Sequence, residues 1–156
     1  MPGNGASAWE LKGRGFCTLC LFRVSSVQDI VPAAYEIKTF LPGLTLGGFY
    51  GTRYESSPVG PYDELIVFPS FVNYGERSGF HVSHIFVNNE KALRGGFNHL
   101  EAPRHLKRFA VEFRDHRWSF SMYDAGEIAF ASAGHSLTPA FPFNFSIPFL
   151  DEDRGE

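Results

Sequence analysis

Leu46-Gly47-Gly48-Phe49-Tyr50 and, a few residues on, Ser57-Pro58-Val59-Gly60-Pro61-Tyr62-Asp63-Glu64-Leu65 decide the reading of this 156-residue chain. The flanking stretches 45–54 and 64–72 carry β-branched and aromatic residues in strand-length runs, and 56–61 between them is a turn of Ser, Pro and Gly. Two glycines inside the first run and the Pro-Gly pair before the second are not ordinary strand filler.

Outward from this pair the same punctuation recurs. Residues 16–24 run apolar on both faces, as a strand in a covered sheet would, and further strands are predicted at 35–41 and 80–88. Pro42-Gly43 and the hairpin loop 73–79 separate them. Ser25 and Gln28 have capping-box spacing, which predicts a short helix ending at Pro32. Asn88 to Gly95 carries a cap, helix formers and a terminal glycine, and a second short helical stretch is expected before Pro103. Strands at 106–113 and 117–123 form a hairpin around Arg114-Asp115-His116, and 127–132 follows the turn at Asp124-Ala125-Gly126. PAFPFNFSIPF, 139–149, suits an edge strand. One domain, 9–150, is expected between a disordered 1–8 and an acidic tail, 151–156.

Composition agrees with a mainly β chain carrying minor helix: 17 Phe, 6 Tyr and 2 Trp favour strands and apolar pockets, while 16 Gly and 10 Pro supply turns. The net charge of −3 and the scattered basic residues predict no nucleic-acid partner. The cluster Arg104, Lys107, Arg108, Arg114 and Arg117 is interrupted by acids and reads as a solvated face. No apolar run reaches the roughly 20 residues of a spanning helix, and the first residues lack a secretory core, so no membrane insertion and a cytoplasmic location are expected. Cys17 and Cys20 sit three apart in a strand, on opposite faces, and read as two small buried residues. His81 and His84 have the same spacing and make a poor metal pair, so no metal or other cofactor is expected.

The Gly-Gly-Phe strand and Pro-x-Gly-x-Tyr-x-Glu turn, followed by Ile85-Phe86-Val87-Asn88-Asn89, Ala92, Gly96 and Pro103-Arg104-His105-Leu106, resemble the acetoacetate decarboxylase-like superfamily. Trp9-Glu10-Leu11-Lys12-Gly13, Thr45-Leu46-Gly47-Gly48-Phe49 and Asp63-Glu64-Leu65 are similar to its plant neoxanthin-deficiency branch. The likeness runs from about Trp9 to Phe109; beyond it only Thr138-Pro139-Ala140 and Ser146-Ile147-Pro148 match. Superfamily members usually exceed 200 residues, so a shortened or incomplete barrel is expected. The resemblance implies a mainly antiparallel β-barrel around an internal cavity, assembled into homo-oligomers.

It also implies a chemistry that this sequence departs from. The decarboxylases form a Schiff base between a lysine and a β-keto acid, with two lysines directly after the proline. Here Arg104 and His105 stand there. Arginine remains protonated and is a poor imine former, so the usual mechanism fails at its first step. The earlier-strand glutamate is missing too, replaced by Gly48-Phe49-Tyr50. Glu64 matches the cavity carboxylate, expected to have a raised pKa among Phe and Tyr and to act as a proton donor or acceptor with His105. Arg104, Tyr62, Phe49 and Arg23 are the expected ligand-binding residues, Arg23 only after a two-residue shift. The implied function is to bind or transform an apolar metabolite of polyketide, terpenoid or carotenoid type without Schiff-base decarboxylation. A decarboxylase using Lys107 and a non-enzymatic accessory subunit are the alternatives.

Overall fold

The computed structural model describes residues 10–95 and 102–135. These form β1 (Lys12–Arg23), α1 (Val24–Val27), β2 (Glu36–Ile37), β3 (Thr39–Leu41), β4 (Leu44–Ser56), β5 (Tyr62–Phe68), β6 (Ser70–Tyr74) and β7 (Arg77–His81). There follow β8 (His84–Val87), α2 (Glu90–Gly95), β9 (Arg104–Leu106), β10 (Arg108–Arg114), β11 (Arg117–Asp124) and β12 (Glu127–His135). The main sheet runs β1-β4-β5-β8-β9, with β3 also against β4; β10-β11-β12 and β2-β6-β7 are smaller sheets. All pairings are antiparallel except β8 with β9. The mainly β class holds, and among the described residues the barrel expectation takes the form of three sheets rather than one closed ring.

β5 is the central strand, and its period of two places two sets of side chains in two cores. Tyr62, Ile66 and Phe68 join Tyr54, Val82, Ile85, Val87 and Ala92 on one face. Leu65 joins Phe16, Phe120 and Met122 on the other, beneath the β10-β11-β12 sheet. Because both faces are covered, nearly every residue of β5 is buried, Asp63 and Glu64 included.

β1 behaves differently from its sequence reading. Its pattern looked apolar on both faces, yet only the even residues turn inward: Phe16 is buried, while Cys17 is exposed and Leu19 and Leu21 are 57% and 50% exposed. Among the described residues β1 pairs only with β4, so it is an edge of the main sheet. Cys17 and Cys20 lie on opposite faces as expected, but Cys17 is not a buried residue.

The run 64–72 divides at Pro69, which has no N–H to continue a ladder, and the chain passes from the main sheet into β6. The run 80–88 likewise divides at Val82-Ser83. The capping-box helix is one turn, Val24–Val27, with Arg23 at the cap position and no side-chain cap bond. The expected edge strand at 139–149, both terminal segments and residues 96–101, where most of the second short helical stretch was expected, lie outside the described residues.

Candidate functional site

The Pro-Gly turn is built so that β5 starts in one register. Gly60 has φ of 89°, a conformation that suits glycine, and its N–H donates to the Ser57 carbonyl at 3.1 Å. The Ser57 hydroxyl donates back to the Gly60 carbonyl at 2.5 Å and accepts from the Val59 N–H at 3.1 Å. Asn89 caps α2 by accepting from the N–H groups of Lys91 (2.8 Å) and Ala92 (3.2 Å), and its amide donates to the Val59 carbonyl at 3.4 Å. Turn and helix are thereby tied together over the start of β5.

From this start, alternation sends Glu64 inward with Tyr62 and Ile66. Glu64 is 5% exposed. The Tyr54 hydroxyl donates to its Oε1 at 3.4 Å, and the rings of Tyr54 and Tyr62 lie 4.9 Å apart. Burial pushes the Glu64 carboxyl up to about 7, against the opposing pull of the Arg104 charge and the Tyr54 bond. Burial, reinforced by Glu64, also raises the phenols of Tyr54 and Tyr62, so both stay neutral donors. A carboxyl poised near neutrality among neutral phenols can give or take a proton at physiological pH.

Residues paired across a ladder share a face, and the register therefore sorts the expected site residues. Glu64 lies opposite Thr52 and Val87, Tyr62 opposite Tyr54, and Arg104 opposite Ile85, which is in the same core as Tyr62. Glu64, Tyr62 and Arg104 are thus brought together on one face. His105 pairs with Phe86 and faces the other way, stacked near Phe86 (5.5 Å) and His84 (5.8 Å). Phe49 also faces away, packed on Phe130 and Phe22. Arg23 pairs with Leu44, eight residues along β4 from Thr52, which is about 26 Å in a strand. Of the expected site residues, the register thus places His105 and Phe49 on the other face from Glu64 and Arg23 at the far end of the β1–β4 ladder. Tyr54 and Tyr50 were missed, although Tyr50-x-Thr52-x-Tyr54 is a period-two row that had to follow the face of one neighbour or the other.

The opposite face holds a structural clamp. Arg53 Nε and Nη2 donate to both carboxylate oxygens of Asp63 (2.7 and 2.9 Å), and Nη1 donates to the Val111 carbonyl at 2.8 Å. Asn88 accepts from the Asp63 N–H at 2.8 Å and donates to Oδ2 at 2.9 Å. Three strands, β4, β5 and β10, and the connection from β8 to α2 are joined by these bonds. Lys107 Nζ lies 2.5 Å from Asp124 Oδ1 and borders a cleft of about 540 Å³ with Arg108 and Tyr123. A second cleft, about 490 Å³, is lined by Arg114, Arg117 and Trp118 among others. Neither cleft includes Glu64.

This architecture has solved relatives. Acetoacetate decarboxylase from Legionella pneumophila superposes with a TM-score of 0.63 at 17% identity, over 85% of this chain and 54% of that one. In sequence, Protein NEOXANTHIN-DEFICIENT 1 of Oryza sativa subsp. japonica is 30% identical over 102 residues. The chain shares the fold of acetoacetate decarboxylase. Its rice relative is matched over 65% of this chain and 33% of its own length, and the Arabidopsis thaliana protein of the same name is 27% identical over 69% and 38%. The chain thus spans about a third of the length of the curated relatives it matches. The enduracididine biosynthesis enzyme MppR, complexed with the condensation product of pyruvate and imidazole 4-carboxaldehyde, shares the fold at a TM-score of 0.58 and 11% identity, over 81% of this chain and 55% of that one. No family model matches the sequence. In this chain, the positions that the resemblance gives to the lysine pair hold Arg104, on the Glu64 face, and His105, on the other.

Proposed function

We propose that this acetoacetate decarboxylase-like chain binds an apolar small molecule of polyketide, terpenoid or carotenoid type beside Glu64, and that Glu64 exchanges a proton with it without a Schiff base. The observation that carries the reading is the buried Glu64 carboxyl, raised by desolvation to about 7 and ringed by Tyr54, Tyr62 and apolar side chains. Arg104 beside it is a permanent cation that cannot serve as the amine of an imine. The bound condensation product in MppR supports a small-molecule role on this fold, and the name of the plant relatives supports a carotenoid-type ligand. Of the two residues expected to do acid–base work, Glu64 takes it in this reading, since His105 faces the other side of the sheet. Assembly of copies of this chain and a cytoplasmic location belong to the same reading; the exposed Leu19 and Leu21 on the β1 edge favour the first.

Native mass spectrometry of the full chain tests binding, because a greasy site retains its ligand through purification. A retained apolar compound, or a melting shift with terpenoid or polyketide probes, is expected. Turnover of any such probe should drop at least a hundredfold in Glu64→Gln; undiminished turnover sinks the acid–base role.

A further inference from the structure

Three leucines are exposed together at one end of the main sheet. Leu19 and Leu21 of β1 and Leu41 of β3 are each at least half exposed. Pairing sets Leu21 opposite Leu46 and Leu41 opposite Leu44, so the five leucines lie on one face, the face that also carries Tyr50 and Phe68. An apolar patch of this kind beside a sheet edge marks a contact. Among the described residues β1 pairs only with β4, which leaves its other edge open to a partner. The Val24 N–H donates to the Gly43 carbonyl at 2.9 Å, one step beyond the Arg23 and Leu44 pair. By the alternation of an antiparallel ladder, even-numbered residues of β1 turn their backbone groups toward β4, and odd-numbered ones, Leu19 and Leu21 among them, toward the open edge. A partner strand therefore meets this edge and the leucine face together.

Residues 139–149, PAFPFNFSIPF, lie outside the described residues, and their sequence fits that edge. In an extended strand Phe141, Phe143, Phe145, Ile147 and Phe149 share one face. Pro142 and Pro148 are both even-numbered and have no N–H, so one backbone edge of such a strand cannot carry a full ladder, and the odd-numbered amides supply the other. Set antiparallel, odd-numbered residues of this strand and of β1 form hydrogen-bonded pairs, and directly opposed residues share a face, so the phenylalanine row falls on the leucines. A parallel arrangement turns the proline row there instead. Reach agrees with the pattern. β12 ends at His135, and its Gly134 lies against the Trp118 indole, which stacks on Phe16 of β1 at 4.2 Å. From Phe16 to Leu21 is about 17 Å along a strand, and residues 136–142 can span about 23 Å. We propose that 139–149 of this same chain adds to the open edge of β1 as an antiparallel strand, with its phenylalanine face over Leu19 and Leu21, and so walls the leucine end of the face that carries Glu64. Pro142 and Pro148 then lie on the outer edge, where they block further strand pairing. A second copy, the occupant that assembly supplies, competes for the same leucines; the short tether from His135 favours the strand of the same chain. The inference is independent of a ligand beside Glu64.

Disulfide trapping in the full chain tests the placement. In a background of Cys17→Ser and Cys20→Ser, Leu19→Cys is combined in turn with Phe141→Cys, Phe143→Cys, Phe145→Cys and Asn144→Cys, and each variant is oxidised at low protein concentration. One of the phenylalanine positions should close a bond within a single chain about tenfold faster than Asn144 does, because only residues on the shared face bring their Cβ atoms within bonding range. A bond between two chains gives the leucine face to a second copy and overturns the inference. Equal rates at all four positions, or no bond at any, overturn it as well. Hydrogen exchange of the unmodified full chain gives a reading that needs no variant to fold. Amides of 139–149 should exchange about a hundredfold more slowly than in an unstructured peptide, and Phe145→Asp should release the amides of Leu19 and Leu21 along with them. Unprotected amides throughout 139–149 in the unmodified chain overturn the inference.

Discussion

Asp63 and Glu64 are consecutive carboxyls on β5 that point to opposite faces of the main sheet and meet opposite electrostatics. Asp63, 4% exposed at its side chain, receives a two-point bond from the Arg53 guanidinium and another from the Asn88 amide. Glu64 receives one long bond from Tyr54 in an apolar core. One carboxyl is held by directed bonds in a structural clamp, and its neighbour sits in an apolar core that raises its pKa.

Stability should depend on pH through Glu64. Its folded pKa, about 7, lies above the ordinary carboxylate value, so the folded state holds this proton more tightly than the unfolded state does. The contribution is fully present below the unfolded pKa, near 4.5, and is lost as pH rises through about 7. Upper-bound linkage is about 3 kcal/mol over that window. Urea unfolding at pH 5.5 and 8 should show about 2 kcal/mol of that loss in the parent chain and little of it in Glu64→Gln; identical pH slopes would contradict this placement of Glu64.

Breaking the clamp should cost far more than breaking a surface pair. Arg53→Ala leaves the buried Asp63 carboxylate with Asn88 alone and removes the tie to Val111, at a cost of about 3 kcal/mol. Arg94→Ala removes an exposed pair with Glu90 and should change stability by less than about 0.5 kcal/mol. Denaturant midpoints of the two variants give the comparison.

Gly51→Ala should loosen the contact between the main sheet and the β10-β11-β12 sheet. A methyl at Gly51 would run into the Phe16 ring, which stacks on Trp118 at 4.2 Å and meets Phe120 edge-on. Overpacking of this kind costs about 1–3 kcal/mol. A shifted Trp118 emission together with a lower melting temperature is the expected signature.

Borohydride with acetoacetate should leave no adduct on Lys107. Its ammonium lies against Asp124, whose carboxyl it holds below the ordinary range, and it borders a cleft that does not include Glu64. A stable adduct mapped to Lys107 by mass spectrometry would restore the decarboxylase alternative.

Much of the fold was legible because turns and alternation are local. The Pro-Gly turn, the strand after it, the cap before α2 and the hairpin of 106–113 with 117–123 were read from residues that are neighbours in sequence, and the motif order pointed to the fold that acetoacetate decarboxylase shares. β1 was misread since an apolar run records burial without recording which neighbour supplies it; coverage of one face leaves Leu19 and Leu21 outside. Pro69 was visible as a ladder breaker, yet its consequence, a change of sheet, depends on where β6 finds partners.

By itself the sequence determined the class of structure, because turns and alternation follow from chemistry within a few residues; the roles expected of Glu64 and Arg104 came with the resemblance. Tertiary structure alone decided which side chains share a face. Pairing of β4 with β5 and of β8 with β9 put Tyr54 and Arg104 beside Glu64 and sent His105 and Phe49 behind the sheet. A register shift of one residue reverses every such assignment, and register is set by contacts between strands far apart in the chain.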